Sequence, residues 1–216
     1  AGGSWGTTLA LCYGISHHQH VFSFLLRGVF LGTSEEFNWL YQPAGAADFF
    51  PDYYQEFINI LPEKDKQDVV AGYQSLLQST NDIAATMASK AWYLWELRLS
   101  SIEHHHVGKS QIEDNHQALS MAKISCHFFH NQCYLSPNYI IDNINKISHI
   151  PAIIMQGRYD MVCQLRQAYQ LAQQWTNAQL QILPGAGHSG FEQQTIDAFC
   201  KAGDTMAIFL QENKNN

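Results

Sequence analysis

Apolar strand patterns occur at the two ends of the chain, and the long stretch between them has helical patterns only. Residues 1–32 contain a glycine-rich turn, apolar residues at helical spacing and a buried strand within residues 21–30. Residues 148–216 alternate between strands and helices, with apolar strands at 151–156 and 178–183. Strands that are apolar throughout and alternate with helices form parallel sheets that helices cover on both faces. The pattern therefore predicts an α/β fold.

Residues 33–147 form the helical stretch, and no segment in it has a convincing strand pattern. Helices are expected at 63–77, 82–99 and 118–129, and a further one at Ser136-Pro137, where an N-cap residue precedes proline. A helical block inserted between two α/β pieces is typical of a cap over a sheet. The predicted organisation is an α/β core at 1–32, a helical cap at 33–147 and the rest of the core at 148–216.

Composition and charge exclude several classes of partner. The 216 residues carry a formal net charge of -7, and the 12 Lys and Arg residues form no basic run. Nucleic acid and anionic membrane surfaces are therefore unexpected partners. No uninterrupted apolar run reaches the roughly 18 residues that a membrane helix requires. Five cysteines at wide spacing predict free thiols in a reducing compartment, and hence a cytoplasmic location.

Residues Gly2-Gly3-Ser4-Trp5-Gly6 fit the G-x-S-x-G pattern of a nucleophile elbow. In such a turn a strand leads directly into a helix, and the serine between them has a strained backbone. The residues two positions away, Gly2 and Gly6, are expected to be small because strand and helix pass close together there. The backbone N–H of Trp5 would face a developing oxyanion. The pattern predicts a nucleophilic serine, although a glycine-rich linker can have the same five residues.

Asp160 and His188 provide the partners that a serine nucleophile needs. Asp160 follows the strand at 151–156 after a short turn, and His188 follows the strand at 178–183 in a glycine-rich loop. Sites in parallel sheets lie at the carboxyl ends of strands, and the chain order Ser, Asp, His is that of the α/β-hydrolase fold. We expect His188 to act as general base and then as acid, while Asp160 holds its tautomer. The predicted catalytic triad is Ser4, Asp160 and His188.

With these residues the chain resembles the prolyl aminopeptidases, or proline iminopeptidases, which are serine peptidases of the α/β-hydrolase fold. The similar segments, spread over nearly the whole chain, are Gly2 to Leu11, Leu26 to Phe30, Trp39 to Gln42, Phe49 to Pro51, Ala91 to Glu96, Gly157 to Cys163 and Gly185 to Ser189. The resemblance implies an α/β-hydrolase core with an inserted helical cap, no cofactor or metal, and release of N-terminal proline from peptides. It also implies that Glu96 binds the free α-amino group, that Phe30 lines the proline pocket and that Cys163 lies near the active site.

Two departures from the family change these expectations. Ser125 occupies the position where the family commonly has a second glutamate for the amino group, and a neutral hydroxyl cannot replace that charge. We therefore expect a weaker hold on the amino end or a looser preference for proline. The chain also begins at Ala1 without an initiator Met, so it lacks the family's upstream strands and the H-G-G-P loop with the second oxyanion N–H. Such a fragment is expected to be inactive and poorly stable alone, because a central sheet edge would be uncovered.

Three other interpretations are open from the sequence. An esterase or amidase with the same triad would be indifferent to a free substrate amine and to Glu96. A metal-binding or interaction protein would use some of the 11 histidines, since Cys126, His130 and Cys133 share a helix face and His104-His105-His106 are adjacent. A truncated non-enzyme is the third interpretation, and the presence of all three triad residues argues against it.

Overall fold

The structure, a computed structural model, describes residues 1–102 and 115–214. The chain divides into two compact units. The sheet unit consists of Ala1–Leu31 together with Pro137–Asn216, and the helical unit consists of Gly32–Ser136. Buried apolar side chains occur in both units, so each unit has a hydrophobic core of its own.

Strands are confined to the sheet unit among the described residues, whereas helices occur in both units. The strands are β1 (Gly2–Ser4), β2 (Phe24–Val29), β3 (Ala152–Gly157) and β4 (Ala178–Leu183). The helices are α1 (Trp5–Ser16), α2 (Ser34–Tyr41), α3 (Ala46–Phe49), α4 (Pro51–Ile58), α5 (Val69–Leu77), α6 (Asp82–Ser100), α7 (Asn115–His130), α8 (Tyr139–Asp142), α9 (Leu165–Gln174) and α10 (Gln193–Lys214). Short 3-10 turns connect several of these elements.

The four strands form one parallel sheet in the order β1-β2-β3-β4. Every residue of β3 is buried, because strands flank it on both sides and helices cover both faces. Leu11 of α1 and Leu171 of α9 share one core cluster with Ile154, while Met206 of α10 shares a second cluster with Ile153. Neighbouring residues of a strand point to opposite faces, so the two clusters lie on the two sides of the sheet. The predicted parallel sheet flanked by helices is confirmed.

The sheet unit resumes at Pro137, ten residues before the end of the helical block expected from the sequence. The helix expected to begin at Pro137 is also absent. A turn at 137–138 precedes the one-turn helix α8, because Asn138 has a left-handed backbone with φ 56° and cannot continue a helix. Ile140, Ile144 and Ile147 then pack into the sheet core beside α1 and α9.

The helical unit is built around buried aromatic rings and carries well-defined helix caps. Thr33 and Glu36 form a reciprocal capping box at the start of α2. Asp68 caps α5 by accepting from the Ala71 N–H, so this helix begins at Val69 and not near residue 63 as the sequence predicted. The stacked and edge-to-face rings of the core belong to Tyr41, Tyr54, Phe57, Tyr73, Trp92, Trp95 and Phe129.

None of the helices in the described part of the chain is both long enough and apolar enough to cross a membrane.

Candidate active site

Ser4 lies at the junction of β1 and α1, where the chain turns from strand to helix. Its backbone has φ 53° and ψ -125°, a conformation that non-glycine residues rarely adopt and that costs about 1–3 kcal/mol. A Cβ on Gly2 would lie 2.3 Å from the Gly6 carbonyl oxygen, so Gly2 must be glycine. Strand and helix therefore pass close together there, as expected, although a Cβ on Gly6 would meet no described atom within 4 Å apart from the backbone of its own helix. The strain at Ser4 is what a nucleophile elbow requires.

A chain of hydrogen bonds joins the three residues that the sequence singled out as a triad. Ser4 Oγ lies 3.0 Å from His188 Nε2, and His188 Nδ1 lies 2.9 Å from Asp160 Oδ2. Ser4 ends β1, while Asp160 and His188 follow the carboxyl ends of β3 and β4. Since an ionised carboxylate only accepts, Nδ1 donates to Asp160 and Nε2 is left to accept the Ser4 proton. The structure therefore brings Ser4, His188 and Asp160 together in an arrangement suited to proton transfer.

The Asp160 carboxylate is buried and accepts hydrogen bonds from four groups. Oδ1 accepts from the backbone N–H groups of Val162, at 3.0 Å, and Cys163, at 2.7 Å. Oδ2 accepts from His188 and also from Gln156 Nε2 at 2.9 Å. The sequence analysis did not identify Gln156. Its one signal was an amide at the end of an otherwise apolar strand, next to the loop that carries Asp160.

Two residues of β2 also contact the His188 segment and were missed as site residues. Gly28 has φ +58°, and a Cβ on it would lie 3.1 Å from His188 Cε1 and 3.4 Å from Asp160 Oδ2. Arg27 donates through Nη1 to the His188 carbonyl oxygen. Glu192 holds the same loop by accepting from the Gly187 N–H at 2.6 Å. The pair Arg27-Gly28 belonged to a segment that resembles the family, but the sequence analysis assigned a role to neither residue.

Trp5 and Phe30, which the sequence analysis named as an oxyanion donor and a pocket residue, both lie at or beside the elbow. Trp5 is the first residue of α1, where the helix dipole places partial positive charge. The buried Phe30 follows β2, and its ring centroid is 6.4 Å from that of Trp5. Its backbone is fixed by α1, because the Phe30 N–H donates to Thr7 Oγ1 at 2.9 Å and Thr8 Oγ1 donates to the Phe30 carbonyl at 2.7 Å.

Cys163 also lies at the elbow, with its buried thiol sulfur 3.9 Å from Ser4 Oγ. The short distance agrees with the position near the active site that the resemblance implied for this cysteine. Its backbone N–H donates to Asp160 Oδ1, and its carbonyl accepts from Gln156 Nε2 at 2.7 Å. Cys163 therefore contacts both the nucleophile and the groups that hold the carboxylate.

Glu96 belongs to the helical unit, where it lies on α6 among aromatic side chains. The Tyr41 hydroxyl donates to Glu96 Oε1 at 2.6 Å, and the Tyr41 ring stacks on Trp92 with a centroid distance of 4.4 Å. Burial raises the pKa of the nearby Cys126 thiol to about 12, and the negative charges of Glu96 and Asp68 add to the rise. Glu96 is thus a half-buried carboxylate in the aromatic setting expected from the sequence.

Ser125 of α7 carries no charge toward a ligand, and its hydroxyl is directed to its own helix. Its Oγ donates to the Met121 carbonyl at 2.8 Å, which is a bond within one helical turn. Ser125 therefore provides no carboxylate that could bind an amino group.

The metal-site alternative has no support in the described part of the chain. No group of three or more His, Cys, Asp and Glu side chains there could hold a metal ion. Cys126 instead donates from its thiol to the Val70 carbonyl at 3.5 Å, so it is not assembled with His130 and Cys133 as a ligand set. The adjacent histidines 104–106 lie outside the described residues.

A nucleophile elbow with an aspartate and a histidine after later parallel strands is the arrangement of the α/β hydrolases. Residues 1–195 match the family model described as alpha/beta hydrolase fold, and the chain belongs to this family. The chain is also 38% identical over 205 residues to a proline iminopeptidase of Xylella fastidiosa, covering 94% of this chain and 65% of the relative. A proline iminopeptidase of Arabidopsis thaliana is 37% identical over 211 residues, which cover 97% of this chain and 55% of the relative. The resemblance noted from the sequence is confirmed.

These matches cover nearly all of this chain but only part of each relative. The chain spans less than two thirds of the length of these two curated relatives. Among solved structures, a candidate lipase from Acinetobacter baumannii AYE aligns with a TM-score of 0.57 at 15% identity, covering 98% of this chain and 60% of that one. At that identity the likeness concerns the fold alone.

Proposed function

We propose that this chain carries the catalytic centre of a serine aminopeptidase that releases N-terminal proline from peptides through an acyl-enzyme. The proposed chemistry rests on two hydrogen bonds at the strained elbow, one between Ser4 Oγ and His188 and one between His188 and Asp160. The similarity to proline iminopeptidases over 94% of the chain supports the choice of substrate. A peptide with a free N-terminal proline is therefore the proposed partner, with no cofactor.

In the proposed reaction Ser4 Oγ attacks the carbonyl carbon of the N-terminal residue while His188 Nε2 takes the hydroxyl proton. Asp160 stabilises the imidazolium through Nδ1. The C–N bond then breaks, and Nε2 gives its proton to the leaving amine, which departs as the shortened peptide. Water attacks the acyl-enzyme with the same histidine as base, so that proline is released and Ser4 regains its proton.

The elbow also supplies the proposed oxyanion donor and one wall of the substrate pocket. The Trp5 N–H at the start of α1 would donate to the tetrahedral oxyanion, a contact that elsewhere contributes about 3 kcal/mol to transition-state stabilisation. Phe30 would pack against the proline ring, and its fixed backbone keeps that wall rigid. With both roles, the reacting carbonyl of the substrate would lie between the Phe30 ring and the N-terminus of α1.

Glu96 is the proposed binding group for the amino end of the peptide. A carboxylate in aromatic surroundings forms a strong charge-assisted hydrogen bond with an ammonium group. The Tyr41 hydroxyl donates to Glu96 Oε1, and an ionised carboxylate can accept several hydrogen bonds at once. An enzyme that recognises a free amine in this way is an aminopeptidase and not a general esterase.

The test is the hydrolysis of a proline arylamide by the purified protein at its full natural length and by its Ser4→Ala variant. We expect Ser4→Ala to lose at least 1,000-fold in kcat, in line with nucleophile deletion in triad enzymes. Ser75→Ala makes the same chemical change at an exposed residue of α5 and should keep full activity. Trapping of a covalent acyl group on Ser4 during turnover supports the mechanism. Undiminished hydrolysis by Ser4→Ala would exclude it.

We also propose a reducing, cytoplasmic setting for the protein. All five cysteines are free thiols. Cys126 is buried near the Glu96 carboxylate, and Cys163 is buried at the elbow. A set of unpaired cysteines is typical of proteins kept in reducing compartments. Fractionation of cells followed by an assay for proline arylamidase activity tests this location.

A further inference from the structure

Gln156 lies fully buried near the carboxyl end of β3, between β2 and the loop that carries Asp160. Its side-chain oxygen accepts from the Val29 N–H at 2.9 Å. Its side-chain nitrogen donates to Asp160 Oδ2 at 2.9 Å and to the Cys163 carbonyl at 2.7 Å. Both amide protons and the carbonyl of this side chain therefore have partners, which is what a buried amide requires.

The orientation of the Gln156 amide is determined by its partners. Val29 presents a backbone N–H, so the atom that faces β2 must be an acceptor. Asp160 Oδ2 and the Cys163 carbonyl are both acceptors, so the atom that faces them must be a donor. A flipped amide would place oxygen against two oxygens and N–H groups against an N–H. The strand β2 thus forces Gln156 to donate to the carboxylate.

We propose that Gln156 is a positioning residue for the triad, acting on His188 through Asp160. This inference rests on the proposed function. Asp160 Oδ2 is shared by Gln156 Nε2 and His188 Nδ1, so the amide fixes where that oxygen lies relative to the imidazole. The two backbone donors on Oδ1 fix only the other end of the carboxylate. Without Gln156 the carboxylate can rotate about its remaining contacts and misalign the base.

The amide also sets how strongly Asp160 stabilises a protonated His188. The Gln156 amide offsets part of the negative charge on Asp160 Oδ2 that faces the imidazolium. Without the amide, Asp160 should therefore stabilise protonated His188 more strongly. Among the described residues, other ionisable groups near His188 are Arg27 on its carbonyl, Glu192 on the adjacent N–H and the Cys163 thiol at the elbow. A Gln156 variant replaces none of these groups, and of the three only Cys163 loses a hydrogen bond, the one to its carbonyl. A shift of the pH profile would therefore report the amide itself.

The experiment compares Gln156→Met with Gln167→Met in proline arylamide hydrolysis. Gln167 is a matched control, since it is a buried glutamine of the same unit whose Oε1 has no hydrogen-bond partner among the described residues. We expect Gln156→Met to lose about tenfold or more in kcat, with KM changed by less than twofold. We also expect the acid limb of its kcat/KM profile to move to higher pH. Gln167→Met should match the wild type in all three quantities.

Gln156→Glu provides a second variant of nearly the same shape. It keeps an acceptor for Val29 but places a carboxylate oxygen against Asp160 Oδ2. We expect a larger loss of kcat than in Gln156→Met at pH 8. The ratio of its kcat to that of the wild type should partly recover toward pH 5, where a protonated Glu can donate again. If both variants fail to fold, the side-chain amide signal of Gln156 in the wild type is followed by NMR from pH 5 to 9. It should titrate together with His188.

The outcomes separate this inference from the proposed function. Full activity in Ser4→Ala contradicts the proposed function, whatever Gln156 does. An inactive Ser4→Ala combined with a folded Gln156→Met whose kcat and pH profile equal those of Gln167→Met overturns the role of Gln156 alone. A wild-type amide signal that does not change with pH overturns it as well.

Discussion

Tyr41 donates a 2.6 Å hydrogen bond to Glu96 across 55 residues of sequence. The donor is fully buried at the end of α2, and its ring stacks on Trp92, one turn before Glu96 on α6. The phenol cannot move without disrupting that stack, so it holds one carboxylate oxygen in place. The sequence resemblance named Glu96 and included Tyr41 in a similar segment, but nothing in the sequence indicated that the two side chains meet.

Replacement of Glu96 by glutamine tests whether the carboxylate binds a free amine. Glu96→Gln keeps the shape and removes the charge, so the charge-assisted bond to an ammonium group is lost. We expect KM for a proline arylamide to rise about 10- to 100-fold, while hydrolysis of an N-acylated analogue remains equally low. Steady-state kinetics on both substrates provides the check. An unchanged KM for the free-amine substrate would exclude Glu96 from amine binding.

Tyr41→Phe removes only the hydroxyl that holds Glu96. The ring stack on Trp92 is retained, so the fold should be stable to within about 1 kcal/mol. We expect KM for free-amine substrates to rise several-fold with little change in kcat, because the carboxylate is present but less well oriented. Tyr54→Phe is the matched control, since Tyr54 donates to the Tyr41 carbonyl and not to Glu96. Equal KM values in the two variants would contradict the orienting role.

Gly28 should be sensitive to substitution because it adjoins the triad. In Gly28→Ala the new methyl carbon would lie 3.1 Å from the His188 ring, and alanine is strained by about 1–2 kcal/mol at φ +58°. We expect a lower melting temperature and a loss of kcat of about tenfold or more. Gly203→Ala in α10 is the control, because its methyl group meets nothing within 4 Å and helical alanine is favoured over glycine by about 0.5–1 kcal/mol. Wild-type kinetics in Gly28→Ala would show that the His188 ring tolerates the contact.

The triad and the sheet could be predicted because their signals are local. An apolar run marks each buried strand, and Asp160 and His188 come directly after β3 and β4. Parallel strands bring their carboxyl ends to one edge, so position along the chain was enough to predict that these side chains meet. The elbow likewise depends on a five-residue pattern.

Gln156 and Gly28 could not be predicted because their roles depend on strand register. Arg27 pairs with Met155 in the β2–β3 ladder, and this register places Val29 N–H within reach of Gln156. Nothing in the hydrophobic pattern specifies the register of β2 against β3, because β3 is buried on both faces and apolar throughout except at Gln156. The helix expected at Pro137 failed for a different reason. The left-handed backbone of Asn138 interrupts it, and asparagine tolerates that conformation better than most residues.

The buried thiol of Cys126 predicts a loss of stability at alkaline pH. Its pKa is raised from 9.0 to about 12 in the folded protein, mainly by burial and further by Glu96 and Asp68. Between these values the unfolded chain loses the thiol proton and the folded protein keeps it, so the unfolded state binds fewer protons and the free energy of unfolding falls as pH rises. At pH 10 this group should account for about 1.4 kcal/mol of the loss relative to pH 7.

Urea denaturation of the wild type and of Cys126→Ala at pH 7 and pH 10 measures this effect. The variant should be less stable at pH 7 because it loses packing atoms, and the difference between the two proteins should shrink by about 1.4 kcal/mol at pH 10, where the variant has no thiol to titrate. Cys200→Ala removes an exposed thiol and serves as the control for replacing a cysteine outside the core. A gap between wild type and Cys126→Ala that stays constant with pH would mean that the thiol ionises in the folded state as readily as in the unfolded chain.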